Sequence, residues 1–445
     1  MSDLTTKPIK TLIRQIAIPA SIGFFFNTMY NIVDTYFAGQ LGTQALAALG
    51  ISFPVFFLII ASGSGLSQGT SALIANILGT GDKEKAQRYS FQALTYGVLL
   101  SIVLTIVGLG ISEFLFSVLG ASGQYLLDAL AYMDVIMLGS VFFIITFVAN
   151  GILNAHGDTK SFRNILIIGF FLNIILNPIL MFGWWIFPEL GIAGIALATV
   201  LIEAISAVYM LYRLSKHGVF HNITKKCIIP RLQIYKEISE QAVPAGFSMF
   251  SVAAGIFIIT FFISVFGKIP VAAYGIATRI EQIVLLPSIG LNIATLTLVG
   301  QNNGAKLYHR VKDVYAKAIK YSLVLMTIGC VILVFFSRQL MSIFTDDAIV
   351  ISTGTTYLHI AAFTLWAYPV LFISVSLLQG LKKPMYAMWL GLYRQIIAPI
   401  IILSLLVYVF NMGLLSVWWT IFGIVWSSVI IVWFITRSYL KNLGK

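Results

Sequence analysis

Long apolar stretches, separated by short segments that hold most of the charged residues, run the length of this sequence. Crossing the hydrocarbon core of a bilayer takes about 20 residues of α-helix. Backbone groups cannot stay unpaired in lipid, so membrane-spanning segments are helices or strands of a closed barrel. The stretches are longer than barrel strands and lack their alternation of polar and apolar positions. The pattern therefore predicts membrane-spanning helices.

We predict twelve spans, which makes the chain an all-α polytopic membrane protein. Their expected bounds are 11–39, 44–77, 90–113, 125–154, 161–183, 190–214, 237–267, 271–302, 315–336, 350–380, 384–410 and 414–437.

The two halves of the chain repeat each other at a fixed interval. Ile18-Pro19-Ala20 recurs as Val243-Pro244-Ala245, and the two prolines are 225 positions apart (244 − 19 = 225). At the same interval, three glycines recur as Gly42 and Gly267, Gly65 and Gly290, and Gly79 and Gly304. An internal repeat of membrane helices is typical of transporters that alternate access around a central site. It predicts two pseudo-symmetric six-helix lobes, 1–216 and 237–445, joined by a cytoplasmic linker, 217–236.

Composition and charge support this interpretation. The chain has 445 residues, of which 10% are charged, and its mean hydropathy is +0.94; soluble domains carry about 25% charged residues. The net charge of +12 does not indicate a nucleic-acid partner, because all but four of the 28 Lys and Arg lie at the termini or in the even-numbered connections. The four exceptions are Lys268, Arg279, Arg338 and Arg394. Positive charge marks the cytoplasmic side, so both termini are expected there.

Motifs for most other functions are missing from the sequence. The stretch most similar to a phosphate-binding loop, Gly79-Thr80-Gly81-Asp82-Lys83, has the wrong spacing. Cys227 and Cys330 are expected in a loop and a span respectively, so we expect no disulfide, and no metal-ligand spacing occurs. We therefore expect no enzyme activity, no cofactor and no bound metal, and infer that an ion gradient supplies the energy.

Polar residues in the first span form the main candidate site. A charge inside a span costs roughly 2.5–3.5 kcal/mol. The presence of Asp34 in the first span therefore requires either a function or a compensating interaction. Asn27, Tyr30 or Asn31, and Asp34 recur one or two turns apart and share a helix face. Pro19 removes a backbone hydrogen bond earlier in the same helix, which makes it a candidate hinge. The alternative is a neutral, structural carboxylic acid in the core.

Other spans add amides, a hydroxyl and a second acid. Asn173 and Asn177 lie one turn apart in the fifth span, Thr199 and Glu203 in the sixth, and Asn150 near the end of the fourth. Each alone fits a hydrogen bond between helices. Together they could hold a proton or bind a small hard cation such as Na⁺ through oxygen. Four more charged residues fall within spans without an assigned role: Asp134, Arg279, Glu281 and Arg394.

The order and spacing of several motifs resemble the multidrug and toxic compound extrusion (MATE) family over about residues 10–440. In the first half the matching segments are Ile18-Pro19-Ala20, Asp34-Thr35-x-Phe37-x-Gly39-x-Leu41-Gly42, Gly79-x-Gly81-Asp82, Gly151-Ile152-Leu153-Asn154-Ala155-x-Gly157-Asp158-Thr159-Lys160, Asn173-x-x-Leu176-Asn177-Pro178 and Gly191-Ile192-Ala193-Gly194. In the second half, Gln379-Gly380 and Lys383-Pro384 are similar to the segment after the fourth span.

The resemblance implies an antiporter that expels cationic or amphipathic drugs against H⁺ or Na⁺. In the bacterial branch similar to DNA-damage-inducible protein F, the ion-linked carboxylate lies in the first span, where Asp34 stands. The polar set around it in that branch corresponds to Tyr30, Asn150, Asn173, Asn177 and Thr199. We expect the protein to lie in a bacterial inner membrane, surrounded by the bilayer, and to function as a monomer.

Departures from the family pattern favour H⁺ as the coupling ion. This chain has Asn177 where members of that branch often have an acid, and its seventh and tenth spans lack the acids of other branches. Less negative charge is then available to dehydrate Na⁺. Na⁺ stays an alternative because Glu203 could supply a second charge. A lipid-linked oligosaccharide flippase is a further alternative, although it would be expected to need several cations along its cavity. A membrane enzyme and a structural or receptor protein are less favoured.

Overall fold

The computed structural model describes residues 3–184, 187–221 and 229–444. In this part of the chain the regular structure is helical, and no strand occurs. Ten helices among these residues are long and apolar enough to cross a membrane, and the number is twelve if each of two bent helix pairs is one span. The predicted fold class and number of spans are confirmed. Cys227 and the centre of the expected linker lie outside the described residues.

The spans follow one another through short connections. After a four-residue helix, Asp3–Thr6, they are span 1 Ile9–Gln40, span 2 Thr43–Thr80, span 3 Lys83–Val118, span 4 Gly123–Leu138 with Ser140–Ala155, span 5 Lys160–Phe182, span 6 Ile192–Lys216, span 7 Leu232–Ser264, span 8 Lys268–Gly304, span 9 Tyr308–Ser342, span 10 Ala348–Thr364 with Ala367–Gly380, span 11 Pro384–Val409 and span 12 Leu414–Asn442.

Spans 4 and 10 are broken at nearly equivalent positions of the repeat. Span 4 bends by 48° and span 10 by 53°. The first break is at Gly139, where an added Cβ would lie 2.4 Å from a Val200 methyl group, so the glycine permits close packing of span 6. The second break precedes Pro369, whose missing N–H cannot bond to the carbonyl four residues earlier. Both halves of the repeat therefore contain a bent span. The bend lies at a glycine in span 4 and before a proline in span 10.

The chain divides into two compact units, and its path between them follows the repeat. One unit comprises Met1–Ser21, Gly79–Gly81 and Phe247–Lys445, and the other comprises Ile22–Leu78 and Asp82–Gly246. The chain thus changes unit inside span 1, after Ser21, and inside span 7, after Gly246. These two points are again 225 positions apart (246 − 21 = 225). The expected lobes at 1–216 and 237–445 stay a prediction, since each unit includes part of a helix from the other sequence half.

Among the close helix contacts that glycines permit, one in each unit has a counterpart in the repeat. A Cβ on Gly65 of span 2 would lie 2.5 Å from the backbone N of Gly246 in span 7, and one on Gly290 of span 8 would lie 2.2 Å from the carbonyl O of Ala17 in span 1. Contacts this short exclude any side chain, so backbone meets backbone. Gly65 and Gly290 are equivalent in the repeat, and the two crossings are therefore symmetric counterparts.

Candidate functional site

The carboxyl group of Asp34 lies inside the unit that contains most of the first sequence half. Its side chain is 8% exposed. Asn173 Nδ2 donates to Asp34 Oδ1 at 2.7 Å, and Asn177 Nδ2 donates to the same oxygen at 2.9 Å. Both asparagines are fully buried. A buried carboxylate is stable when donors hold it, and these two amides serve that purpose.

Local helix geometry explains why these residues meet. Asn173 and Asn177 are four residues apart in span 5, so their side chains project from one face and reach the same oxygen. Thr199 of span 6 lies beside the same carboxyl group, although its hydroxyl donates to the Ile195 carbonyl at 3.1 Å. Tyr30 lies one turn before Asp34 and close to Asn173 and Thr199. Three spans therefore converge on one acid.

Several oxygens around this acid lack a hydrogen-bond partner within the described part of the chain. They are the amide oxygens of Asn173 and Asn177 and the hydroxyl of Tyr30, all of them buried. Buried polar atoms without partners are costly, and a bound ion or a functional role is one explanation for them. No group of three or more His, Cys, Asp and Glu side chains suited to a transition metal occurs among the described residues. The donor set fits H⁺ or a small hard cation.

Other predicted site residues lie outside this cluster. Asn27 and Asn31 are exposed, and Asn31 Nδ2 donates to the Asn27 carbonyl at 2.9 Å. Asn150 is buried, and its amide oxygen finds no partner among the described residues. Glu203 is half-buried beside Thr146 and interacts electrostatically with Tyr30. The expected polar stripe of span 1 is therefore divided into buried Asp34, half-buried Tyr30 and an exposed part.

Pro19 lies within span 1, which continues through it as a helix. It is fifteen positions before Asp34 (34 − 19 = 15), or roughly 22 Å along the helix. The point at which span 1 passes from one compact unit to the other, after Ser21, is two residues further on. A proline next to such a point is well placed for a hinge, because bending there breaks no backbone hydrogen bond of its own.

Sequence reasoning missed some neighbours of the site. Tyr132 of span 4 is buried and interacts electrostatically with Asp34, and Thr146 lies beside Glu203. An isolated tyrosine or threonine in an apolar helix carries no periodic signal, so the sequence could not single them out. Residues two positions apart in an α-helix do not share a face, so we expect Glu281 and Arg279 of span 8 on different faces. Glu281 is buried and Arg279 is exposed, as that expectation requires.

The segment Gly65-Leu66-Ser67-Gln68-Gly69 matches the pattern of a hydrolase nucleophile but does not form one. That chemistry needs a sharp turn between a strand and a helix. Here the five residues lie inside span 2, and both glycines pack against the backbone of span 7. The glycines serve helix packing.

Comparison with known proteins agrees with the fold and the repeat. The family model described as MatE matches residues 19–179 and 244–404, two segments offset by the same 225 positions. An FAD transporter of Shewanella oneidensis is 28% identical over 398 residues, 88% of this chain and 87% of that protein. A probable multidrug resistance protein, NorM, of Thermotoga maritima is 25% identical over 448 residues, 98% of this chain and 96% of that protein.

Solved structures of transporters share this fold. A multidrug resistance MATE family transporter of the MOP superfamily, in an outward-facing conformation, superposes with a TM-score of 0.92 at 27% identity, covering 100% of this chain and 98% of that one. These matches do not distinguish branches, so the branch of DNA-damage-inducible protein F stays a prediction. With most of its length matched by the family model and its whole length by the fold, the chain belongs to the MatE family of multidrug and toxic compound extrusion transporters.

Proposed function

We propose that this protein is an H⁺-coupled multidrug efflux antiporter in which Asp34 carries the coupled proton. The supporting observation is that a buried carboxyl group on a proline-containing helix is held through one oxygen by two amides of span 5. Such a group exists in two states, charged and held by the amides, or neutral and more weakly held. Each state favours a different arrangement of span 1.

In the proposed cycle, protonation of Asp34 precedes release of the substrate. A proton from the outer side neutralises Asp34, and the hydrogen bonds from Asn173 and Asn177 lose their charge-assisted strength. Span 1 then bends near Pro19, and the substrate leaves. On the inner side the proton departs, the carboxylate regains its hydrogen bonds, and a new substrate binds. Coupling requires that proton and substrate favour opposite conformations, because a ligand shifts an equilibrium only through its differential affinity for the two states.

The substrates we propose are cationic or amphipathic small molecules. A monomer in a bacterial inner membrane exports them across that membrane. The excess of Lys and Arg at the termini and even-numbered connections supports an orientation with both termini in the cytoplasm. An ionised Asp34 also favours organic cations electrostatically. One relative is named a probable multidrug resistance protein and another an FAD transporter, so the family sequences at this level of identity span different substrates.

Na⁺ coupling at the same site is the second candidate. The amide oxygens of Asn173 and Asn177 lack partners among the described residues, and carbonyl oxygens are ligands that hard cations prefer. With Asp34 and the Thr199 hydroxyl nearby, they would supply an oxygen-only set carrying a single negative charge. A low negative charge offsets little of the cost of dehydrating a cation, and for this reason H⁺ is preferred.

A lipid-linked oligosaccharide flippase is a poorer match. Holding a diphosphate takes several cations, and Arg279 and Arg394 are the two that lie well inside the predicted spans. Susceptibility profiling of a deletion strain separates these functions. An efflux pump predicts increased sensitivity to several unrelated cationic drugs, reversed by expression of the wild-type gene. Loss of envelope integrity without a change in drug sensitivity would instead support the flippase.

A further inference from the structure

Arg394 lies in the middle of span 11 without a hydrogen-bonding or ion-pairing partner in the described chain. It follows Pro384, the first residue of the span, by ten positions, which places it roughly 15 Å along a helix that crosses a hydrocarbon core of about 30 Å. A guanidinium at this depth is costly unless its N–H groups are satisfied. Its position therefore requires a reason other than packing.

The guanidinium points into its compact unit. It lies over the ring of Phe372, 5.9 Å from the centroid, and interacts electrostatically with Tyr368 and Glu281. Phe372 and Tyr368 are stacked, with centroids 5.0 Å apart and planes 11° apart. The arginine head therefore rests on an aromatic surface, an arrangement that guanidinium groups favour.

Glu281 does not neutralise this arginine by direct pairing. Tyr357 donates to Glu281 Oε2 at 2.8 Å, and Tyr368 donates to Glu281 Oε1 at 3.0 Å. No Arg394 nitrogen lies within 4.0 Å of either carboxylate oxygen, since no such ion pair occurs in the described chain. Both oxygens of the glutamate are thus engaged by tyrosines, and the donors of the arginine stay available.

A local distortion of span 11 fixes the position of Arg394. Residues Tyr393–Ile397 form a π-helical turn. Pro399 has no N–H for the carbonyl of Gln395, which removes one α-helical hydrogen bond at this point. The side chain of Gln395 approaches Gly255 of span 7 so closely that a Cβ there would lie 2.5 Å from its Oε1. Single π-turns inside α-helices occur frequently at functional sites.

We propose that Arg394 is an anion-binding subsite that receives the carboxylate of an aromatic, amphipathic substrate, with Phe372 beneath it. This inference rests on the proposed transport function. It extends the proposed substrates to amphipathic zwitterions that carry a carboxylate. The planar fork of arginine pairs with a carboxylate through two parallel hydrogen bonds. One positive charge balances one negative charge. A doubly charged phosphate would add repulsion from Glu281, so a carboxylate is the better match.

The test compares two dyes that differ at one group. Rhodamine 19 has a free carboxylate and is a zwitterion, whereas rhodamine 6G is its ethyl ester and a cation. Binding of both to the purified full-length protein in detergent is measured by fluorescence polarisation. Wild-type protein is expected to bind both. Arg394→Gln should weaken the binding of rhodamine 19 roughly tenfold or more, because a bidentate charged pair is lost, and leave rhodamine 6G unchanged.

Two further variants serve as a control and as a conservative replacement. Arg338→Gln removes the same charge from an exposed side chain at the end of span 9 and should bind both dyes as the wild type does. Arg394→Lys keeps the charge without the fork and should give an intermediate loss for rhodamine 19; it also serves as the test variant if Arg394→Gln does not fold. Thermal unfolding of each variant checks folding.

Three results would overturn the subsite. They are equal weakening of both dyes, unchanged binding of rhodamine 19 by Arg394→Gln, and a wild type that binds only the ester. In each of them binding of rhodamine 6G still supports the multidrug function. A wild type that neither binds nor transports either dye contradicts the proposed function, and the subsite with it.

Discussion

The central feature at the scale of single residues is a carboxylate that two amides hold by one oxygen. Asn173 and Asn177 both donate to Asp34 Oδ1, and their own oxygens lack partners among the described residues. Hydrogen bonds to a charged group each contribute about 1.5–3 kcal/mol, so a change in the charge of Asp34 alters the energy of this contact substantially. The proposed proton switch rests on this contact.

Replacing Asp34 with Asn should abolish proton-driven efflux. The amide has nearly the same size but cannot take up and release a proton, so span 1 loses the charge change that drives it. The measurement is efflux of the cationic dye ethidium from proteoliposomes with an imposed pH gradient. Glu113→Gln, which alters an exposed acid of span 3, is the matched control and should retain transport. Wild-type transport by Asp34→Asn would exclude the coupling role.

A second acid, Asp158, lies between spans 4 and 5 and has a structural network around it. Its Oδ2 accepts from Ser161 Oγ at 2.6 Å, His217 Nε2 at 2.9 Å and an Arg213 nitrogen at 3.2 Å. Burial alone would raise the pKa of Asp158, but these hydrogen bonds lower it below its usual range. Burial lowers the pKa of the neighbouring His156, which favours its neutral form beside His217. The network links the segment before span 5 to the end of span 6.

The lowered pKa of Asp158 gives a pH-dependent contribution to stability. A carboxyl group whose folded-state pKa lies below its unfolded value of about 3.9 stabilises the fold above that value and loses the effect as the pH falls. Asp158→Asn should therefore lower the unfolding temperature at pH 7, and the difference from wild type should shrink below about pH 4. Thermal scans in detergent across this range measure it.

Asp313→Asn provides the control for that series. Asp313 pairs with Lys317 at 3.6 Å on the surface, with 59% of its side chain exposed, and such pairs contribute little. Its replacement should leave the unfolding temperature nearly unchanged. An equal effect from both variants would mean that the buried network has no special stabilising role.

At the scale of helices, the crossings of span 2 with span 7 and of span 8 with span 1 are tight and related by the repeat. Gly65 and Gly290 bring helix backbones into direct contact. Without a hydrophobic force between helices in lipid, this close packing contributes much of their association. Both crossings lie next to the points where spans 1 and 7 pass between compact units. A bend of span 1 or span 7 at these points would therefore occur beside a tight crossing.

Adding a methyl group at these crossings should be harmful. Gly65→Ala and Gly290→Ala force the helices apart, and overpacking of this kind costs about 1–3 kcal/mol. Both variants should show a lower unfolding temperature and reduced efflux. Gly50→Ala and Gly275→Ala form a control pair at the same interval, with open space around an added Cβ. They should be tolerated, and a loss of the same size in all four variants would contradict the packing argument.

At the scale of the whole molecule, duplication has given two halves with similar helices and different chemistry. The first half holds Asp34 with its amides, while the second holds Glu281 with two tyrosines and, nearby, Arg394. Sequence equivalence therefore extends to bends and glycine contacts but not to the polar residues. The proposed ion-coupling site therefore lies in one half, and the proposed anion-binding subsite lies in the other.

Separating the two ion gradients identifies the coupling ion. In proteoliposomes, a pH gradient alone should drive ethidium export and a Na⁺ gradient alone should not. The reason is that a single carboxylate with neutral amides provides little charge to replace the hydration shell of Na⁺. The control is the same measurement with both gradients collapsed. Export that follows the Na⁺ gradient alone would select the second candidate.

The sequence by itself determined the number of helices, the duplication and the location of the acid. These follow from hydropathy, a constant interval and the cost of placing a charge in lipid, all of which are local or additive along the chain. Helical spacing paired Asn173 with Asn177, and the family resemblance then grouped them and Thr199 with Asp34.

Only the tertiary structure decided which polar groups meet. It divided the stripe of span 1 into buried Asp34, half-buried Tyr30 and exposed Asn27 and Asn31, and it added Tyr132 from span 4. Among the described residues it also left Arg394 without an ion pair, while tyrosines donate to both oxygens of Glu281. Contacts of this kind depend on how distant helices rotate and cross, which is set by packing of many side chains at once and leaves no pattern along one helix.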